Sequence, residues 1–265
     1  MHKQISSLQN PLIKQILSLR QKSKERRKTG LFVIEGKQEI ELAVKGGYDL
    51  QTLLFCPEII SGENIERLTF TNIERLEITS EIYKKVAYRT TSEGVLAIAN
   101  SKELFLDNLT LNAEKLLILV AEAPEKPGNI GALLRTADAA NLDAVIIANP
   151  KTDLYNPNII RSSVGCIFTN NIAIGSTDEI IRYLKEKGIA IYCAALQAAI
   201  SYISCDFTEN TAIVVGTEAK GLSQEWLDNS TKNMIIPMHG EIDSMNVSVA
   251  AGILIFEAKR QRRNS

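Results

Sequence analysis

The second half of this chain constrains the fold most. From residue 116 onward, short uninterrupted apolar runs alternate with segments of helical period. The stretches 116–121, 144–148, 189–194, 212–215 and 234–236 read as strands, and 130–140, 178–187 and 247–260 as helices. A strand with one wetted face would alternate apolar and polar residues. These do not, so both faces are covered, which is the signature of a parallel sheet with helices packed on either side.

The first hundred residues form a smaller α/β pattern. Leu12, Ile13, Ile16, Leu17 and Leu19 fall on one face of a helix expected over 11–28, with the basic residues mostly outside that set. Strands are expected at 31–34, 53–55, near Ile78 and at 95–98, with a helix over 38–44 stopped by Gly46-Gly47. Residues 101–115 are polar and irregular, and the domain boundary is placed there: 1–103 and 112–265. A chain of 265 residues suits two domains. Apolar content of 45% and charged content of 23% exclude a disordered, collagenous or coiled-coil chain.

No run approaches the roughly 18 uncharged apolar residues of a membrane span, and the first residues lack the apolar core of a secretion signal. Cys56, Cys166, Cys193 and Cys205 never occur as Cys-x-x-Cys, and only His2 and His239 could join them. Neither a disulfide framework nor a zinc site is expected. These features read as a soluble, reduced, cytoplasmic protein without a metal.

The net charge of −1 conceals an uneven distribution. Residues 1–30 hold eight Lys/Arg against Glu25 alone, and Lys259, Arg260, Arg262 and Arg263 crowd the other end, while the body between is acidic. Positive ends on an acidic body suit a phosphate-backbone footprint; solvated helix faces are the plainer alternative. Lys24, Arg26, Arg27 and Lys28 are the RNA-binding candidates of the first helix.

Three polar loops start where an apolar strand stops: residues 122–129, 216–223 and 237–246. Parallel sheets bind ligands at the carboxyl ends of their strands, so the three loops are expected to share one crevice. Gly216–Ser223 resembles a P-loop only in outline, because Leu222 stands where a phosphate-binding lysine is required. Gly128-Asn-Ile-Gly131 lacks the first Gly-x-Gly of a dinucleotide fingerprint, and no Gly-x-Ser-x-Gly elbow is present. The common nucleotide and hydrolase signatures therefore fail.

Three segments carry a more specific likeness: Asn129-Ile-Gly-Ala-Leu-Leu-Arg135, Gly216-Thr-Glu218-Ala-Lys-Gly221-Leu-Ser, and Ile236-Pro237-Met-His-Gly with Ser244-Met245-Asn246-Val-Ser-Val-Ala-Ala. In order and spacing they resemble the three motifs of the SpoU (TrmH) family of RNA ribose 2′-O-methyltransferases, of the SPOUT class, over about residues 112–263. Tyr155-Asn-Pro and Arg161-Ser-Ser-Val-Gly-Cys-Ile-Phe168 also resemble that family, and Phe32-Val-Ile-Glu-Gly36 behind a basic helix is similar to its upstream substrate-binding domain.

The resemblance implies a parallel-sheet α/β domain with a C-terminal trefoil knot, unusual for folded chains, plus a small ribosomal-protein-like α/β domain. It implies S-adenosylmethionine as cofactor, bound by Leu196, Gly216, Thr217, Gly221, Ile236, Pro237 and Met245. It further implies a homodimer that completes the site, and an RNA substrate, ribosomal rather than transfer RNA, with Arg161 among its contacts. Asn129, Arg135, Glu218, Ser244 and Asn246 match the family's catalytic set. Arginine stays protonated at neutral pH, so Arg135 reads first as a phosphate clamp. Both it and Glu218 stand as candidate bases.

Taken singly, these residues have plainer readings. Asn129 reads as the N-cap of its helix, and Ser244 or Asn246 as the cap of the last one. Glu218 beside Lys220 reads as a surface pair. Trp226 and Tyr155 read as packing residues before stacking platforms. Three other functions compete: a transfer-RNA 2′-O-methyltransferase, a silent RNA-binding or ribosome-assembly protein on the same fold, and a methyltransferase acting on a base or small molecule.

Overall fold

The computed structural model describes residues 3–66, 73–88, 93–196, 198, 200–217, 220–241 and 244–263. The chain divides into two compact units, Met1–Lys102 with Asp153–Thr169, and Glu103–Thr152 with Asn170–Ser265.

The first unit contains β1 (Lys3–Ile5), α1 (Pro11–Gln21), α2 (Ser23–Thr29), β2 (Leu31–Glu35), α3 (Lys37–Lys45), β3 (Leu50–Phe55), α4 (Gly62–Glu66), β4 (Glu74–Ile78), α5 (Ser80–Val86) and β5 (Val95–Asn100). Its five-stranded sheet has the order β1-β4-β3-β5-β2, with β5 antiparallel to both neighbours. Asn10 starts α1 by accepting from the Leu12 N–H, with Pro11 preset for the first turn. Ile13, Ile16 and Leu19 are then fully buried against the sheet, each contributing about 1.5–3 kcal/mol. The single helix expected over 11–28 is in fact two. Lys22 is extended (φ −116°, ψ 112°), and the second helix stops at Gly30 in the left-handed region (φ +66°).

Residues 153–169, expected from sequence to belong with the second domain, pack into this first unit. Tyr155 stacks on Phe32 at 4.4 Å between centroids and Phe168 stacks on the same ring at 5.9 Å. Tyr155 is thus a packing residue. Asp153 forms a bidentate pair with Arg26, from Nε at 2.8 Å and Nη2 at 2.7 Å. Here the sequence reading of Arg26 as an RNA contact is corrected. Its side chain is only 5% exposed, and its Nη1 donates to the Leu19 carbonyl. A guanidinium committed to a buried carboxylate and a helix-end carbonyl has no face left for phosphate. The break at Lys22 turns α2 so that Arg26 points inward while Lys24, Arg27 and Lys28 stay exposed.

The second unit contains β6 (Leu117–Glu122), α6 (Pro127–Ala139), β7 (Ala144–Ala148), β8 (Ile172–Gly175), α8 (Thr177–Glu186), β9 (Ala190–Ala194), β10 (Ile200–Ser201), β11 (Thr211–Val215), α9 (Gln224–Asn229), β12 (Lys232–Ile235) and α10 (Val247–Arg263); α7 (Pro157–Ser162) lies in the first unit. Seven parallel strands run in the order β10-β12-β9-β11-β6-β7-β8. Every residue of β6, β7 and β11 is buried, as uninterrupted apolar strands require. Trp226 is fully buried in this core beside Cys193 and Leu184.

The C-terminal basic run also departs from its reading as a phosphate footprint. Arg262 donates to the carbonyls of Phe207 (2.8 Å), Lys115 (2.7 Å), Leu116 (2.9 Å) and Glu209. Lys259 donates to the Asn141 carbonyl, and Arg260 pairs with Glu257. These cations are committed to the protein's own strand-entry and helix-end acceptors. Replacing Arg26 with Ala should cost about 3–5 kcal/mol by stranding the Asp153 carboxylate. Urea unfolding of the variant checks this, and a loss below about 1 kcal/mol would show that the pair behaves as a surface one.

Candidate functional site

Strand order, which the sequence does not reveal, settles where the three loops go. β12, β9, β11 and β6 are consecutive neighbours and parallel, so the chain leaves all four at the same edge of the sheet. The segments after β9 and β12 thereby join the loops after β6 and β11. A largely apolar cleft, partly open to solvent, lies among the segments that follow β9, β11 and β12.

Its lining includes Leu196, Gly216, Thr217, Gly221, Ile236 and Met245, six of the seven residues expected to hold a cofactor. Pro237 is exposed between two lining residues, Ile236 and Met238, and is not itself part of the wall. Leu222, Met238 and Val247 line it as well and were not anticipated. Their only signal in sequence was their place inside the recognised motifs.

The wall at residues 216–221 is a tight reversal. The Thr217 N–H donates to the Gly221 carbonyl and the Gly221 N–H to the Thr217 carbonyl, both at 3.0 Å, and Thr217 Oγ1 accepts from the Lys220 N–H. Gly221 sits at φ +65°, where a side chain strains the backbone. A Cβ on Gly216 would come within 2.2 Å of the Gly221 carbonyl carbon. Gly216 is thus fixed by backbone approach and Gly221 by its left-handed backbone. Glu218 lies outside the described residues.

A second, smaller cleft with more ionisable residues in its wall adjoins the first and shares Gly216, Thr217 and Val247 with it. Glu122, Glu125, Lys126 and Asn129 supply its polar wall. Asn129 is not the N-cap of α6, as its sequence reading held. Lys126 occupies that position without a side-chain capping bond, because Pro127 takes the first helical place and pushes Asn129 into the first turn. The Asn129 Oδ1 instead accepts from the Asn246 Nδ2 at 3.1 Å, across 117 residues of chain. Asn246 simultaneously starts α10: its Oδ1 accepts from the Ser248 N–H (3.0 Å) and hydroxyl (2.6 Å), and its carbonyl from Val249 and Ala250.

Ser244 lines the apolar cleft. Arg135 is exposed on α6, six residues beyond Asn129, and lines neither cleft. In the first unit Arg161 places its guanidinium 5.8 Å from the Tyr88 ring centroid, and Arg20 does the same. Cys193 is no nucleophile: burial, and secondarily the Glu122 carboxylate, push its thiol up to about 12. Among the described residues no cluster of three His, Cys, Asp or Glu could hold a metal ion, and no helix is long and apolar enough to cross a membrane.

A parallel α/β unit with a largely apolar cleft at its strand ends, joined to a smaller one walled by Glu122, Glu125, Lys126 and Asn129, defines the class: an enzyme-like domain built to seat a small organic cofactor beside a polar reactant. Comparison with known proteins gives the particular family. Residues 116–256 match the SpoU rRNA methylase family and residues 10–97 an MRM3-like substrate-binding domain. The chain is 31% identical to the 23S rRNA (guanosine(2553)-2′-O)-methyltransferase RlmP of Bacillus subtilis, over 97% of its own length and 99% of that protein's. It superposes on the SpoU methyltransferase AviRb from Streptomyces viridochromogenes in complex with the cofactor AdoMet, with TM-score 0.88, 27% identity and coverage of 97% and 100%. A crystal structure of an RNA 2′-O ribose methyltransferase matches with TM-score 0.84, 35% identity and coverage of 98% and 99%. The chain belongs to the SpoU rRNA methylase family.

The double duty of Asn246 can be separated by mutation. Asn246→Ala removes the helix cap and should cost about 1 kcal/mol. Asn246→Asp keeps the capping oxygen and should restore thermal stability, while it no longer donates to Asn129. Equal melting temperatures for the two variants would show that the cap contributes nothing.

Proposed function

We propose that this protein transfers a methyl group from S-adenosylmethionine to the 2′-hydroxyl of a ribose in ribosomal RNA. The observation that carries this reading is the Asn129–Asn246 bond, which ties the first and third family motifs together beside the apolar cleft. The 23S rRNA specificity of the Bacillus relative and the AdoMet bound to AviRb support the substrate and the cofactor.

The cleft suits that cofactor. Leu196, Leu222 and Ile236 offer apolar surface for a purine, and the Gly216–Gly221 reversal leaves backbone groups at the wall. When bound, S-adenosylmethionine supplies a methyl group made electrophilic by its sulfonium. The protein must then orient a weak oxygen nucleophile and take its proton. Asn129 and Asn246 hold the second cleft, where the ribose enters, and Ser244 lines the cofactor cleft. Arg135 holds the neighbouring phosphate through its planar fork. Glu218, the carboxylate of the second motif, receives the hydroxyl proton.

Arg135 reaches the site in a homodimer, where α6 of one copy faces the clefts of the other. Val249 and Phe256, seven residues apart on α10 and 54% and 51% exposed, favour such an apolar seam. A trefoil knot is the chain path we assign to the C-terminal segment. It agrees with the return of α10 from β12, two strands away, to pack on α6 and β11. We assign 1–103 to RNA substrate binding and 112–265 to methyl transfer, with 153–169 lending Arg161 to the RNA face. Exposed Lys24, Arg27 and Lys28 extend that face, and ribosomal RNA places the work in the cytoplasm.

Incubation with labelled S-adenosylmethionine and unmodified 23S rRNA should yield a 2′-O-methylated nucleoside on digestion. Arg135→Ala should lower kcat by about a hundredfold or more. A base-methylated product, or no product from 23S or transfer RNA although the cofactor binds, would overturn the reading; the latter leaves a silent RNA-binding protein. Replacing Lys24, Arg27 and Lys28 with Gln should flatten the salt dependence of RNA affinity by about 0.7–0.9 in log–log slope for each phosphate no longer neutralised. An unchanged slope would place the footprint elsewhere.

A further inference from the structure

Glu122, the last residue of β6, is a carboxylate only 7% exposed. Burying a charge is costly unless every oxygen finds donors, and both of its oxygens do. Oε2 accepts from the Ser223 N–H at 2.8 Å, and Oε1 accepts from the Ser223 hydroxyl at 2.7 Å and from the Thr177 hydroxyl at 3.2 Å. Thr177 is oriented in turn by the Asn149 side-chain amide at 3.0 Å. One carboxylate thus joins the exits of β6, β7, β8 and β11. Ser223 shows how strongly it is recruited. It occupies the N-cap position of α9 with suitable backbone angles (φ −67°, ψ 156°), yet its side chain makes no capping bond and turns to Glu122.

The consequence lies one residue earlier. Leu222 lines the apolar cleft, and Gly221 closes the reversal with Thr217. The loop is held at its start by β11 and at its end by the two bonds from Ser223. We propose that Glu122 is a positioning residue for cofactor binding: its buried carboxylate clamps the 216–223 loop so that Gly221 and Leu222 form a preorganised wall. It is not a base, because both oxygens are already engaged by neutral donors within the protein. This inference rests on the reading that the cleft takes S-adenosylmethionine.

Titration calorimetry with S-adenosylmethionine on full-length protein tests it. Glu122→Ala should weaken cofactor affinity by about tenfold, and Ser223→Ala, which keeps the N–H bond, by about threefold. Glu122→Gln should recover most of the loss, since its oxygen still accepts from Ser223 N–H and the two hydroxyls can rotate to accept from its amide. In steady state the KM for S-adenosylmethionine should rise more than kcat falls; a merely structural role would lower the melting temperature without that split. Wild-type cofactor affinity in folded Glu122→Ala overturns the inference, and if that variant fails to fold, wild-type affinity in Ser223→Ala does. If the wild-type protein itself fails to bind the cofactor, the proposed function fails instead.

Discussion

Everything at the site depends on the placement of β11. It pairs along its length with β6 on one side and β9 on the other, in parallel register, and all five of its residues are buried. A strand in that position must satisfy its backbone on both edges and bury both faces, so slippage by one residue would expose unpaired polar groups and misplace every side chain. The sheet therefore fixes, to within a residue, where the chain emerges at Gly216. From there the available space is set by the glycines: a Cβ at 216 would collide with the Gly221 carbonyl group, and 221 is left-handed. The cleft is narrow and apolar because strand pairing leaves the loop no other path.

Beside this rigid wall the polar contacts are of two kinds. Asn246 donates a neutral hydrogen bond to Asn129 at 3.1 Å, and Ser223 and Thr177 give the buried Glu122 carboxylate three bonds at 2.7–3.2 Å, all between segments remote in sequence. Arg135, by contrast, is exposed. That division suits methylation of a hydroxyl. A carboxylate can be buried when donors satisfy both of its oxygens, as Ser223 and Thr177 do for Glu122, whereas an exposed guanidinium keeps its donors available to a partner.

Much of this was legible in the sequence. The uninterrupted runs at 116–121, 144–148 and 212–215 announced buried parallel strands, and the polar loops that follow announced the site. Adjacency of those loops was not legible, because strand order is decided by long-range pairing that no local pattern encodes. The path of 153–169 was also hidden: its aromatic residues match any core, and only the ring stack on Phe32 and the Asp153–Arg26 pair reveal which one they chose. Asn129 was misread as a cap because Pro127 moves the helix start three residues earlier. Glu122 gave no signal beyond its place at a strand end.

The arginines show why charge density alone is a poor guide to a nucleic-acid face. By count, Arg26 and Arg262 are as positive as any residue of the chain. Yet each is spent inside the protein, the first on a buried carboxylate and the second on four backbone carbonyls. The guanidinium that is ideal for phosphate is equally ideal for these internal acceptors, since both offer clustered oxygens to a planar fork of donors. Lysine, a strongly hydrated point charge, competes less well for a buried carboxylate, and Lys24 and Lys28 remain in water on either side of Arg26. A basic helix that alternates the two residues can therefore serve both ends at once, with one arginine anchoring it to its own unit while its neighbours keep their charge for a partner. On that division of labour, the charge α2 presents to solvent and the stability it lends the first unit are set by different side chains and can be altered independently.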